Sequence, residues 1–168
     1  MEAKAKLFGH AIHPIVIVFP LGLLSTAIVF DILYLATGGN TWITVSYWMI
    51  AAGLIGGAAA ALFGLIDFLS IPSGTRAKSV GLTHGLVNLG AMALFGVSFF
   101  LRTRTSEPGR SAVILSFAGL LFAMLGGWLG GELVERLGVG VHDIANLDAP
   151  NSLGDSMPPK RLSKPRTV

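Results

Sequence analysis

Cysteine is absent from this chain of 168 residues. That excludes thiolate metal ligands, thioether attachment of haem and disulfides. Charge is the second scarcity. Charged residues make up 12% of the chain, where a soluble globular domain carries about 25%. The Walker loop, the nucleophile elbow and the H-E-x-x-H pair are also missing, so the chain is not expected to be a stand-alone enzyme. Its net charge of +3 owes much to Lys160, Arg161, Lys164 and Arg166 near the end. No aromatics are interleaved with those residues, so the charge is no signal for nucleic acid.

What is present is apolar. Hydrophobic residues make up 52% of the chain. Windows 12–30, 38–66, 80–101 and 111–131 contain no Asp, Glu, Lys or Arg. Each approaches or exceeds the roughly 20 residues that cross the hydrocarbon core of a bilayer. The expectation is an all-α polytopic membrane protein, a bundle of four transmembrane helices. The first window is too long for the core of a signal peptide and no small-residue cleavage site ends it, so it reads as a retained span.

The expected spans are about 14–36, 42–68, 80–101 and 111–137, within a membrane domain of 1–142. Pro14 suits a first helical position and disfavours helical backbone at His13, so His13 is expected at the mouth of the helix. Pro20 should kink the span by freeing the carbonyl of Val16. Trp42, Tyr47 and Trp48 resemble an interfacial aromatic belt. Gly53, Gly57, Ala60 and Gly64 form a small-residue stripe of the kind that lets helices approach closely in lipid. Gly126, Gly127, Gly130 and Gly131 do the same in span four, and Gly138 is a plausible cap. No internal repeat is evident. Residues 143–168 form a polar, proline-rich basic tail with little expected regular structure.

Four spans put both termini on one membrane face, called side A. Lys4, Lys6, Arg76, Lys78 and Arg136 lie near side A, and Arg102, Arg104 and Arg110 near side B. The positive-inside rule then favours side A in the cytoplasm, by five to three.

All four histidines fall on side A. His10 and His13 precede or open span one, His142 follows span four, and His84 lies about 6 Å into span three at 1.5 Å per residue. Asn88 is one turn further along the same face. Asp67, Glu132 and Glu135 complete a polar cluster at that depth, where ionisable groups usually face the bundle interior. Asp31, towards side B, reads as an interfacial residue or a cap partner.

Several readings stand side by side. His13 as an interfacial anchor and His84 as a buried histidine bonded to Asn88, Asp67 or Glu132 are the plain ones. The sharper one is axial ligation of haem b, with His84 and His13 or His10 as ligands from two helices, and with Arg76 and Lys78 able to pair with propionates. A third is a transition-metal site of His13, His84 and other histidines with Asp67 or Glu132. A proton relay through Asp67, His84 and Glu132 is a fourth.

The stretches "GHAIHPIVIVFPLGLL", "GLIDFLSIPSGTRAKSVGLTHGLVN" and "GGWLGGELVERLGVGV" resemble the bacterial membrane family called domain of unknown function 2231, over about residues 8–142. The motif positions are His10, His13, Pro14 and Pro20, then Asp67, Pro72, Gly74 and Thr75, then His84 and Asn88. Gly130, Gly131, Glu132, Gly138 and Gly140 follow. The resemblance implies a four-helix membrane domain and, because some relatives are joined to Rieske-type domains, an electron-transfer setting. This chain has no such domain, so that role requires a protein partner. The expectation is therefore a small haem-binding electron-transfer or quinone-facing subunit in the bilayer. The alternatives are a structural subunit of a larger complex and a metal-binding membrane protein.

Overall fold

The computed structural model describes residues 1–103 and 109–153. Arg104, Lys160, Arg161, Lys164 and Arg166, counted above among the basic residues, lie outside them. A two-stranded hairpin, β1 (Lys6–Leu7) and β2 (His10–Ala11), precedes the helices. Then come α1 (Ile12–Val16), α2 (Val18–Thr37), α3 (Asn40–Ser70), α4 (Arg76–Thr103) and α5 (Arg110–Gly131). A π-helical turn, Glu132–Arg136, extends α5. Together α1 and α2 make one span of 26 residues, and all four spans are long and apolar enough to cross a membrane.

The first span begins before Pro14, at Ile12. His13 therefore lies in the first helical turn and not ahead of it. The reason is that the first turn of a helix has no intrahelical use for its N–H groups, so Pro14 costs no hydrogen bond there. The interruption between α1 and α2 falls at Ile17. Pro20, one turn on, lacks the N–H that would bond Val16, and buries its ring in the bundle. The span ends on Gly38, left-handed at φ 69°, whose N–H bonds the carbonyl of Tyr34 at 2.8 Å. Thr75 caps α4: its hydroxyl oxygen accepts the backbone N–H of Lys78 at 3.1 Å.

Two helical hairpins make up the bundle. The first is α1–α2 with α3, the second α4 with α5, and the helices within each hairpin pack most extensively. Small residues permit this. Gly53 receives Leu24 and Gly119 receives the ring of Phe95 within the hairpins, while Gly57 receives Met92 between them. Leu24, Ala27, Ile28, Ile50 and Phe95 form the buried core between the hairpins. Tyr47 of α3 stacks on Phe99 of α4 with centroids 4.7 Å apart. The outward faces are apolar: Ile55, Leu62, Leu89, Ile114 and Leu121 are all exposed. Such a surface suits a bilayer, where lipid tails replace water as the contact.

The hairpins are built alike in a way the apolar sequence conceals. Each carries one histidine near side A on its first helix, His13 or His84. Each carries one charge eighteen residues later, Asp31 or Arg102. At 1.5 Å per residue that spacing is about 27 Å, close to the thickness of the hydrocarbon core. The polar residues thus form two layers at opposite ends of the bundle.

Candidate functional site

The side A layer is built from helix starts and helix glycines. His13 points from α1 onto α3, where its Nδ1 lies 2.9 Å from the carbonyl oxygen of Ala60. A carbonyl can only accept, so Nδ1 carries the proton and Nε2 keeps a lone pair in the neutral ring. The ring fits there because Gly64 has no side chain: a Cβ would lie 2.9 Å from Cε1 of His13. His84 repeats the arrangement in the second hairpin. Its Nδ1 lies 2.9 Å from the carbonyl oxygen of Gly126 on α5. A Cβ on Gly130, four residues further, would lie 3.2 Å from its Cε1. Both imidazoles are therefore half-buried, fixed in orientation and set to the same tautomer by backbone carbonyls.

The two rings meet across the hairpins. Their centroids are 6.4 Å apart and their planes cross at 82°. Asn88 supports His84 from one turn away. Its amide donates to the His84 carbonyl at 2.8 Å, and Gly126 leaves room for its side chain.

The other side A residues have separate tasks. His10 is exposed in β2, with Nδ1 3.1 Å from the Phe8 carbonyl oxygen, and is not beside the paired rings. Asp67 accepts the backbone N–H groups of Lys4 and Ala5 at 2.7 and 3.1 Å, and so pins the N-terminal segment to the end of α3. Arg76 donates to Glu132 at 2.6 Å within the second hairpin. Lys78 donates to the Phe68 carbonyl at 2.7 Å and sits over the Phe68 ring. Glu135 is exposed and lines a shallow depression of about 300 Å³ with Trp128, Gly131, Glu132 and Arg136. His142 lies 3.1 Å from Glu2 on the surface. Lys6 and the Asp143 N–H also engage Glu2. The Lys6 ammonium foremost, then the Asp143 N–H, holds the Glu2 carboxyl below its ordinary value of 4.5.

Among the described residues no three His, Asp or Glu side chains are placed to hold a metal ion. The expected combination of histidines with Asp67 or Glu132 is not assembled, because those acids bond the N-terminal backbone and Arg76. Of the three partners expected for His84, the structure supplies Asn88.

Asp31 is the larger correction. It is neither a cap nor an exposed surface charge, but is buried inside the bundle at its side B end. The side chains of Asp31 and Arg102 are each 1% exposed. Arg102 holds Asp31 with two nitrogens, Nη1 to Oδ1 at 2.8 Å and Nη2 to Oδ2 at 2.6 Å. Ser46 donates to Oδ1 at 2.6 Å and Ser116 to Oδ2 at 2.8 Å. Ser98 accepts from Arg102 Nε at 3.3 Å and donates to the Ala112 carbonyl at 2.6 Å. Each of the four spans contributes. Arg102 is thus a buried partner and not an orienting loop charge. The signal available in the sequence was two opposite charges, each eighteen residues beyond a histidine.

No curated protein and no solved structure matches the chain. Residues 9–143 match the family described as "Predicted membrane protein (DUF2231)". The matched segment begins in the turn of the β-hairpin, contains His13, Asp31, His84 and Arg102, and ends past the last helical turn. With that match over most of its length, the chain belongs to the DUF2231 family of predicted membrane proteins.

Proposed function

We propose that His13 and His84 are the axial ligand pair for one haem b, and that the chain is a small electron-transfer subunit of a bacterial inner-membrane complex. The observation that carries this reading is the ring pair itself. A ligating nitrogen lies about 2 Å from its metal, so two imidazoles in line on one metal have centroids about 6 Å apart. The observed separation is 6.4 Å. An Nδ1–H bonded to a carbonyl is the support that ligating histidines ordinarily have, since it fixes the tautomer and leaves Nε2 to bind.

The donor set also fits. Two histidines without a third protein ligand are too few for a structural zinc site and suffice for a haem, whose ring supplies the remaining nitrogens. Gly64 and Gly130 leave the ring edges free of side chains. Bound haem would supply a one-electron couple. The chain's own part is to hold both rings in orientation and to keep water from them with apolar helices. Electrons would pass to or from a partner protein or a quinone.

The test is a reduced-minus-oxidised spectrum of protein produced with ample haem. Soret and α bands that disappear in both His13→Ala and His84→Ala support the reading. Their absence in the parent protein sinks it.

One observation favours a second reading. Every buried side-chain nitrogen and oxygen among the described residues has a partner, as internal hydrogen-bonding glue requires. On that reading the chain is a structural subunit, and His84→Ala lowers stability and changes no spectrum.

A further inference from the structure

The Asp31–Arg102 pair lies far from the histidines, and the proposed ligand role does not use it. An ion pair buried in a bilayer is expensive, and buried pairs are often less stabilising than apolar replacements. The two hairpins give it a task. His13 is fixed to Ala60 within the first hairpin, and His84 to Gly126 within the second. Neither ring bond crosses between hairpins, so the separation of the rings depends on how the hairpins sit against each other.

The buried polar bonds that cross are at the other end. Arg102 of the second hairpin reaches Asp31 and Ser46 of the first. Ser116 of the second reaches Asp31 of the first. The guanidinium fork and the carboxylate are both planar, and a two-point bond between them fixes angle as well as distance. Near side A, by contrast, the polar contacts that cross are partly solvated, among them Lys78 on Phe68 and Glu2 with His142.

We propose that Asp31 and Arg102 are the positioning pair for the histidine site: they set the register of one hairpin on the other and so set the spacing of His13 and His84. The lever is the same on both sides, eighteen residues of helix. The two serines are arranged to match, one from each hairpin, each touching one carboxylate oxygen and one guanidinium nitrogen. Ser98 differs. Its bonds to Arg102 and Ala112 stay within the second hairpin. This inference rests on the ligand reading only for the purpose of the spacing; the spacing itself is measurable without any ligand.

The chain's lack of cysteine makes the test direct. Spin labels at Leu65→Cys on α3 and Leu125→Cys on α5 would report the distance between hairpins beside the histidine layer, on two exposed positions. The full chain in lipid nanodiscs should give one narrow distribution. Arg102→Gln should broaden it or shift it by several ångströms, and Ser98→Ala should leave it unchanged. If Arg102→Gln does not fold, the double variant Ser46→Ala/Ser116→Ala, which removes the two serine bonds between hairpins together with one bond to the pair inside each hairpin, should produce the same broadening. An unchanged distribution in whichever of these two folds overturns the proposal. So does an equal change in Ser98→Ala, which would mark general loosening. A failed haem spectrum leaves this result standing, and an unchanged distance leaves the haem test standing.

Discussion

Arg102 grips Asp31 through two nitrogens at 2.8 and 2.6 Å, with both side chains buried among the helices and eighteen residues beyond the histidine on each helix. Removing one member strands the other charge in a medium that cannot solvate it. Arg102→Ala should therefore cost about 3–5 kcal/mol, read as a large loss of resistance to unfolding in detergent. Replacing both partners by apolar residues, as in Asp31→Leu/Arg102→Met, should cost much less than either single change. Unfolding curves for the three variants check this. A single variant as stable as the parent contradicts it.

Glycine substitutions should sort by what stands opposite them. At Gly64 a Cβ would lie 2.9 Å from the His13 ring, and at Gly130 it would lie 3.2 Å from the His84 ring. Gly127 and Gly131, in the same stretch of span four, have nothing within 4 Å. Gly64→Val and Gly130→Val should displace a ring and weaken haem retention at least tenfold. Gly127→Ala should be close to neutral. Haem affinity measured by titration separates these outcomes.

Asp67 anchors the N-terminal segment through two backbone N–H groups. Hydrogen bonds to a charged acceptor are worth about 1.5–3 kcal/mol each in favourable settings. Asp67→Ala should free the segment ahead of α1 and raise amide exchange at Lys4 and Ala5 about tenfold or more. Exchange deep in α3 should stay as it is. Hydrogen exchange followed by mass spectrometry is the measurement.

The Glu2 contacts should fail in acid. The Glu2 carboxyl is held below 4.5 by Lys6 first, with help from the Asp143 N–H and His142. A lowered value in the folded chain means that the contact is complete above 4.5 and is lost as pH falls through the lowered value. Signals of Asp143 should shift together with those of Glu2 in an acid titration. In Glu2→Gln that linked shift should be absent.

The spans were legible in the sequence because long uncharged windows have few alternatives. The depth of His84 and its neighbour Asn88 followed from helix geometry. The ring anchors were not legible, since Ala60 and Gly126 act through backbone carbonyls, which any residue possesses. The stripe of small residues hinted at close packing without saying that Gly64 faces a ring. Asp31 and Arg102 were passed over because charges at the edges of apolar windows ordinarily mark the membrane surface. The likeness of the two hairpins is hidden for a related reason: it lives in four polar positions, and the apolar residues between them differ from one hairpin to the other.

The central claim is that both imidazoles bind one iron. Electron paramagnetic resonance of the ferric protein, reconstituted with haem b in the membrane, tests it most directly. The account predicts a low-spin signal from two nitrogen axial ligands, converted to high spin when either His13 or His84 is changed to Ala. Wild-type protein that takes up no haem, or that gives a high-spin signal with only one histidine required, would contradict it.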